Sequence, residues 1–77
     1  VNVDAAHDKR IELGMKYLES GKRDNARWQF SKAMELKKNS ARAFHGIALV
    51  HQANGEVEHA ETAFKKALRN AEPKQLS

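Results

Sequence analysis

The chain has 77 residues, 40% of them hydrophobic and 31% charged, with a net charge of +4 and no cysteine. That length holds one small domain with a marginal core, and the missing thiols exclude disulfides, thiolate metal sites and cysteine nucleophiles. No stretch approaches the roughly 18 consecutive apolar residues of a membrane span, so direct membrane insertion is not expected. The densest charge clusters, KRDNAR (22–27) and ELKK (35–38), are short, and KRDNAR mixes both signs. A basic stripe interleaved with stacking aromatics is absent, since Trp28 alone lies near Arg23 and Arg27, and no nucleic-acid partner is expected. The start, VNVDAAHD, has neither an initiator Met nor an apolar leader. A piece of a longer chain is the expectation, with any targeting signal upstream.

Along the chain, Asp4 is the expected N-cap of a first helix over about residues 5–20. Its apolar residues Ile11, Leu13, Met15, Tyr17 and Leu18 cover a broad arc, so the helix uses two faces. Gly21 follows the last apolar turn, where a left-handed residue ends a helix most cheaply. A second helix is expected over about 23–37, with Ala26, Phe30, Ala33 and Met34 as its buried stripe. Ser40 can cap a third helix over about 41–54, whose packing face carries Phe44, Ile47, Ala48 and His51. Gly55 closes it as Gly21 closed the first. A fourth helix is expected over about 57–71, with Pro73 just past its end and a frayed tail at 75–77. No strand signal appears, and the expected fold is all-α with four antiparallel helices.

Two copies of one pattern organise these helices. LGMKYLESGKRDNARWQFSKAM (13–34) and IALVHQANGEVEHAETAFKKAL (47–68) superpose at an offset of 34 residues. Gly21/Gly55, Ala26/Ala60, Phe30/Phe64, Lys32/Lys66 and Ala33/Ala67 are identical. A fixed 34-residue period marks a solenoid of helix–turn–helix repeats. The four alanines are small where two helices must approach closely, and the two phenylalanines fill the space between them.

Leu-Gly-x-x-Tyr, then Gly, then Ala-x-x-x-Phe-x-x-Ala resembles the tetratricopeptide repeat (TPR). Repeat one spans 7–40 and repeat two 41–74, nearly the whole of the single domain 1–77. The pattern departs at Arg10, where the family has a large apolar residue, at Lys38, where it has Pro, and at His51, which replaces Tyr. These departures are expected to loosen the start of repeat one and the inter-repeat corner. RIELGMKYLESGKRDNA, followed by ARAFHGIALVHQANGEVEHAETAFKKAL, resembles more narrowly the pilotins of type IV pilus biogenesis, the PilF/PilW family. That resemblance implies an outer-membrane lipoprotein of the bacterial periplasm that helps the pilus secretin assemble.

In stacked repeats of this kind the first helix of each pair lines the concave surface. Asp8, Ile11, Glu12, Met15, Leu18 and Glu19 are expected there from repeat one, and Arg42, His45, Gly46, Leu49, Gln52 and Ala53 from repeat two. Chaperone-binding members of the family clamp a terminal carboxylate with Lys and Asn, but Ile11 and Met15 stand at the matching positions here. What remains is an apolar strip, Ile11–Met15–Leu18 with Leu49, edged by Glu12, Glu19, Arg42 and His45. Such a strip suits an amphipathic helix or an extended apolar peptide, or equally a neighbouring helix. The last helix adds a second surface: Ala60, Phe64, Ala67 and Leu68 are expected to lack half their packing partners, since a solenoid end leaves an apolar face uncovered. Self-association through that end is the competing reading.

Other residue types carry little chemistry. His7, His45, His51 and His59 show no metal-ligand spacing. His51 is expected to pack between helices and Trp28 to cover the outer surface, half exposed. Glu12/Lys16 and Glu61/Lys65 are expected ion pairs worth about 0.2–0.5 kcal/mol each. With no phosphate loop, nucleophile–base pair or converging carboxylates, neither cofactor nor catalysis is expected. Two readings from different classes stand: a protein-binding scaffold, and a self-association module.

Overall fold

The computed structural model describes residues 2–71. Pro73, the tail 75–77 and the end of repeat two lie outside the described residues. Four helices follow in order: α1 (Val3–Glu19), α2 (Arg23–Leu36), α3 (Ala41–Ala53) and α4 (Val57–Ala71). Each turn is local chemistry. The N-cap of α1 is Asn2, whose Oδ1 accepts from the Ala5 N–H at 3.2 Å, and not Asp4, which sits in the first turn. Asn2 caps as well as Asp4 could, and starting two residues earlier adds half a turn of helix. Ser40 caps α3 as expected, its Oγ accepting from the Ala43 N–H at 3.1 Å.

Gly21 and Gly55 adopt φ of 78° and 77°. Around Gly21, the Lys22 N–H reaches the Tyr17 carbonyl at 2.9 Å and the Gly21 N–H reaches Leu18 at 3.1 Å. Around Gly55, Glu56 reaches His51 at 2.8 Å and Gly55 reaches Gln52 at 3.0 Å. This double closure satisfies carbonyls that a helix end would otherwise leave free.

The helices pack as α1 on α2 and α3 on α4, with α3 resting on α2 and more lightly on α1. No Cα of α4 comes within 8 Å of one in α1 or α2. The core sits at the α1–α2–α3 junction, where Ile11, Ala26, Phe30, Ala33, Ala43 and Val50 cluster. Phe30, fully buried, is its centre. The ring lies between two glycines: a Cβ added at Gly14 would meet it at 2.5 Å, and one added at Gly46 would also meet it at 2.5 Å. Repeat one therefore closes onto repeat two by backbone, ring, backbone stacking, which only residues without a side chain allow.

Polar side chains finish the seam. His7, buried, sets Nε2 2.6 Å from the Ser40 Oγ and Nδ1 3.1 Å from the Asp8 Oδ1. Arg42 donates to the same Asp8 oxygen at 2.8 Å, and Lys37 pairs with Asp4 at 2.9 Å. These groups tie the inter-repeat corner around Lys38. Arg10 is engaged by α2: it donates to Gln29 Oε1 at 3.1 Å and lies 5.6 Å from the Trp28 ring centre. Trp28, 53% exposed, also has the Lys32 amine 5.1 Å from its ring centre and covers the outer surface. The expected ion pairs Glu12/Lys16 and Glu61/Lys65 do not close among the described residues; Lys32–Glu35, at 3.6 Å, does.

Candidate functional site

α3 packs on both α1 and α4, whose backbones stay apart, and a groove opens across it. Its volume is about 590 Å³, and its walls are Ile11 and Met15 from α1, Ala41, Arg42 and His45 from α3, and Phe64, Ala67, Leu68 and Ala71 from α4. Only Arg42 and His45 are polar. The Arg42 guanidinium is already engaged by Asp8, and the His45 ring stands edge-on to Phe64, with centroids 5.6 Å apart. Asp8 is held below its usual pKa, chiefly by the His7 hydrogen bond and then by Arg42. The groove floor is thus apolar, with a charged knot at one rim.

The expected concave strip is rearranged by this geometry. Met15, Arg42 and His45 line the groove as one surface. Ile11 also borders it, but at 6% exposure it belongs to the core and offers a partner little area. Leu18 is half-buried and packs on the core, and Leu49 is half-buried outside this groove. Glu12, Glu19 and Gln52 are exposed and stand outside it, Gln52 in an adjoining depression beside α4.

On α4 the expected open face also changes. Ala60 and Ala67 are 4% and 8% exposed, buried in the helix pair rather than open. Phe64 is half-buried, while Leu68 and Val57 are 66% and 72% exposed. The two surfaces read separately from the sequence therefore share Phe64 and Leu68 in one groove. Sequence reasoning missed Ala41 and Val57, and it missed His7 with Ser40. A signal for the seam did exist: Asp8 and Arg42 are 34 residues apart, so they occupy the same position in successive repeats with opposite charge.

At the turn between α3 and α4, His51 sets its Nδ1 2.7 Å from Glu56 Oε1, and its ring lies 5.2 Å from that of His59. The hydrogen bond from His51 draws the Glu56 carboxyl below its usual pKa. These groups fasten the turn and stand away from the groove.

Two helix pairs at a 34-residue spacing, the first helix of each ended by a positive-φ glycine and the pairs joined through an alanine and phenylalanine seam, form an all-α fold like that of tetratricopeptide repeats. No family model matches the chain, and no solved structure matches it significantly. Its sequence is similar to that of the type IV pilus assembly protein PilF of Pseudomonas aeruginosa, at 37% identity over 65 residues. The alignment takes in 84% of this chain and 26% of that protein, so the chain spans about a quarter of its relative. Among the described residues, no helix is long and apolar enough to cross a membrane.

Proposed function

We propose that the chain is a protein-binding scaffold of type IV pilus assembly, without catalytic activity, that receives an apolar or amphipathic helix in the groove across α3. The groove itself carries the reading: a floor of Met15, Phe64, Ala67 and Leu68, with the charged rim set to one side. Helix-in-groove recognition uses a few apolar anchors spaced over two turns of the partner, and Met15 gives the wall adaptability. The similarity to a pilus assembly protein supports the setting, and the pilotin resemblance supports the pilus secretin as partner and the periplasmic face of the outer membrane as location. Titration calorimetry against purified secretin tests it. Binding that weakens about tenfold or more with Met15→Glu, whose charge would be buried against an apolar partner, supports the proposal; no heat with the unsubstituted chain overturns it.

A further inference from the structure

Trp28 is an aromatic that the repeat does not need. Its counterpart 34 residues on is Thr62, exposed on α4, whose Oγ1 donates to the Glu58 carbonyl of its own helix at 3.1 Å. Repeat two therefore folds without an aromatic at that position. Beside Trp28, between α1 and α2, a cavity of about 400 Å³ is lined by Tyr17, Asp24, Asn25, Trp28 and Gln29. That volume falls in the range of small-molecule sites.

Neighbouring repeats leave this place in the fold uncovered. Asp24, Asn25 and Trp28 remain exposed with α3 and α4 packed after them. The matching positions of repeat two, Glu58, His59 and Thr62, remain exposed with α1 and α2 packed before them. The same side of a repeat is thus open whether another repeat precedes or follows it.

The lining sorts ligands by charge. Arg10 donates to Gln29 Oε1 at 3.1 Å, and a guanidinium can only donate, which fixes the amide's orientation. Gln29 is 8% exposed, and its Nε2 has no partner among the described residues. Yet no buried side-chain polar atom lacks a partner there, so the two amide N–H donors open onto the cavity. Asp24 adds a carboxylate with no ion pair among the described residues, and Asn25 adds both a donor and an acceptor. A cationic ligand would meet Arg10 and Lys32, which lie 5.6 and 5.1 Å from the ring centre of Trp28; an anionic one would meet Asp24. A neutral ring bearing hydroxyls meets neither repulsion. Its hydroxyls donate and accept, and its C–H face suits the negative face of an indole.

We propose that this cavity binds a neutral saccharide, the Trp28 indole covering one sugar ring while Asp24, Asn25 and Gln29 take its hydroxyls. The cavity shares no residue with the groove across α3, so the saccharide site does not rest on the groove reading and both can be filled together.

Trp28 is the sole tryptophan of the chain, so its fluorescence reports on the site directly. The probes are chitotetraose and, separately, maltotetraose. A saturable change in emission with at least one of them is expected, with a dissociation constant on the order of 1 mM. It is expected to hold up to about 0.5 M salt, since no charge on the ligand is screened. Asp24→Ala and Asn25→Ala, both at exposed positions, weaken binding about fivefold or more with helix content unchanged. Trp28→Ala, followed by saturation-transfer NMR of the sugar, loses it. No saturable change with either sugar, binding that survives Trp28→Ala, or tighter binding of tetramethylammonium or sulfate than of either sugar each overturns the proposal. Met15→Glu leaves sugar binding intact, so a failure of the groove reading is read separately.

Discussion

Gly46→Ala adds one methyl group at the point where the two repeats meet. In an exposed helix the same change stabilises by roughly 0.5–1 kcal/mol, because it lowers the entropy of the unfolded chain. Here the new Cβ lands 2.5–2.6 Å from three atoms of the Phe30 ring. Ordinary carbon contacts need about 3.5 Å or more, so ring or helix must move by about 1 Å. The ring cannot retreat towards α1, where Gly14 already offers no more room, nor towards solvent, since it is fully buried. Overpacking of this kind costs about 1–3 kcal/mol. A domain of this size has roughly 4–12 kcal/mol in total, and each kcal/mol moves its melting point by about 4–8 °C. A fall of about 4–24 °C is expected in a thermal melt followed by circular dichroism at the helix band. A midpoint that stays or rises would refute the ring-between-glycines account, and partial recovery on adding Phe30→Leu would locate the clash.

Phe30→Ala removes the seam's filler and costs about 3–5 kcal/mol, enough to leave a chain of this size partly unfolded at 37 °C in a urea titration. Gly55→Ala meets no neighbour but is held at φ 77°, so its cost is torsional, about 1–2 kcal/mol by chemical denaturation, in contrast to Gly46→Ala. Asp8 and Glu56 are depressed in the folded state, so their contribution is present above the usual carboxylate pKa and is lost as pH falls through their lowered values. Melting points are therefore expected to drop below about pH 4, and Asp8→Asn is expected to flatten part of that drop; an identical pH profile in the variant would contradict the Asp8 assignment.

The local elements were legible because their signals are local. Gly21, Gly55 and Ser40 announce helix ends within a few residues of the groups they satisfy, and the 34-residue offset makes the repeats visible at once. The start of α1 was less so, because Asn2 and Asp4 are both competent caps and only the fold decides between them. Ile11 was read as part of an open strip because α1 is apolar over too wide an arc to show which side meets α2. Sequence likewise divided what the fold unites: Met15 and Leu68 are 53 residues apart, and only the lie of α1 and α4 on either side of α3 makes them walls of one groove. Arg10 looked like a flaw in the repeat until Gln29 and Trp28 were placed beside it.

The central claim is that the groove across α3 receives a helix of a pilus-assembly partner. Its most direct test is a backbone amide titration of the labelled chain with the pilus secretin, at a chain concentration too low for self-association. Saturable shifts centred on Met15, Arg42, His45, Phe64 and Leu68, and lost in Met15→Glu, are the predicted result. Shifts confined to the outer surface around Trp28, or none at saturating secretin, would contradict it.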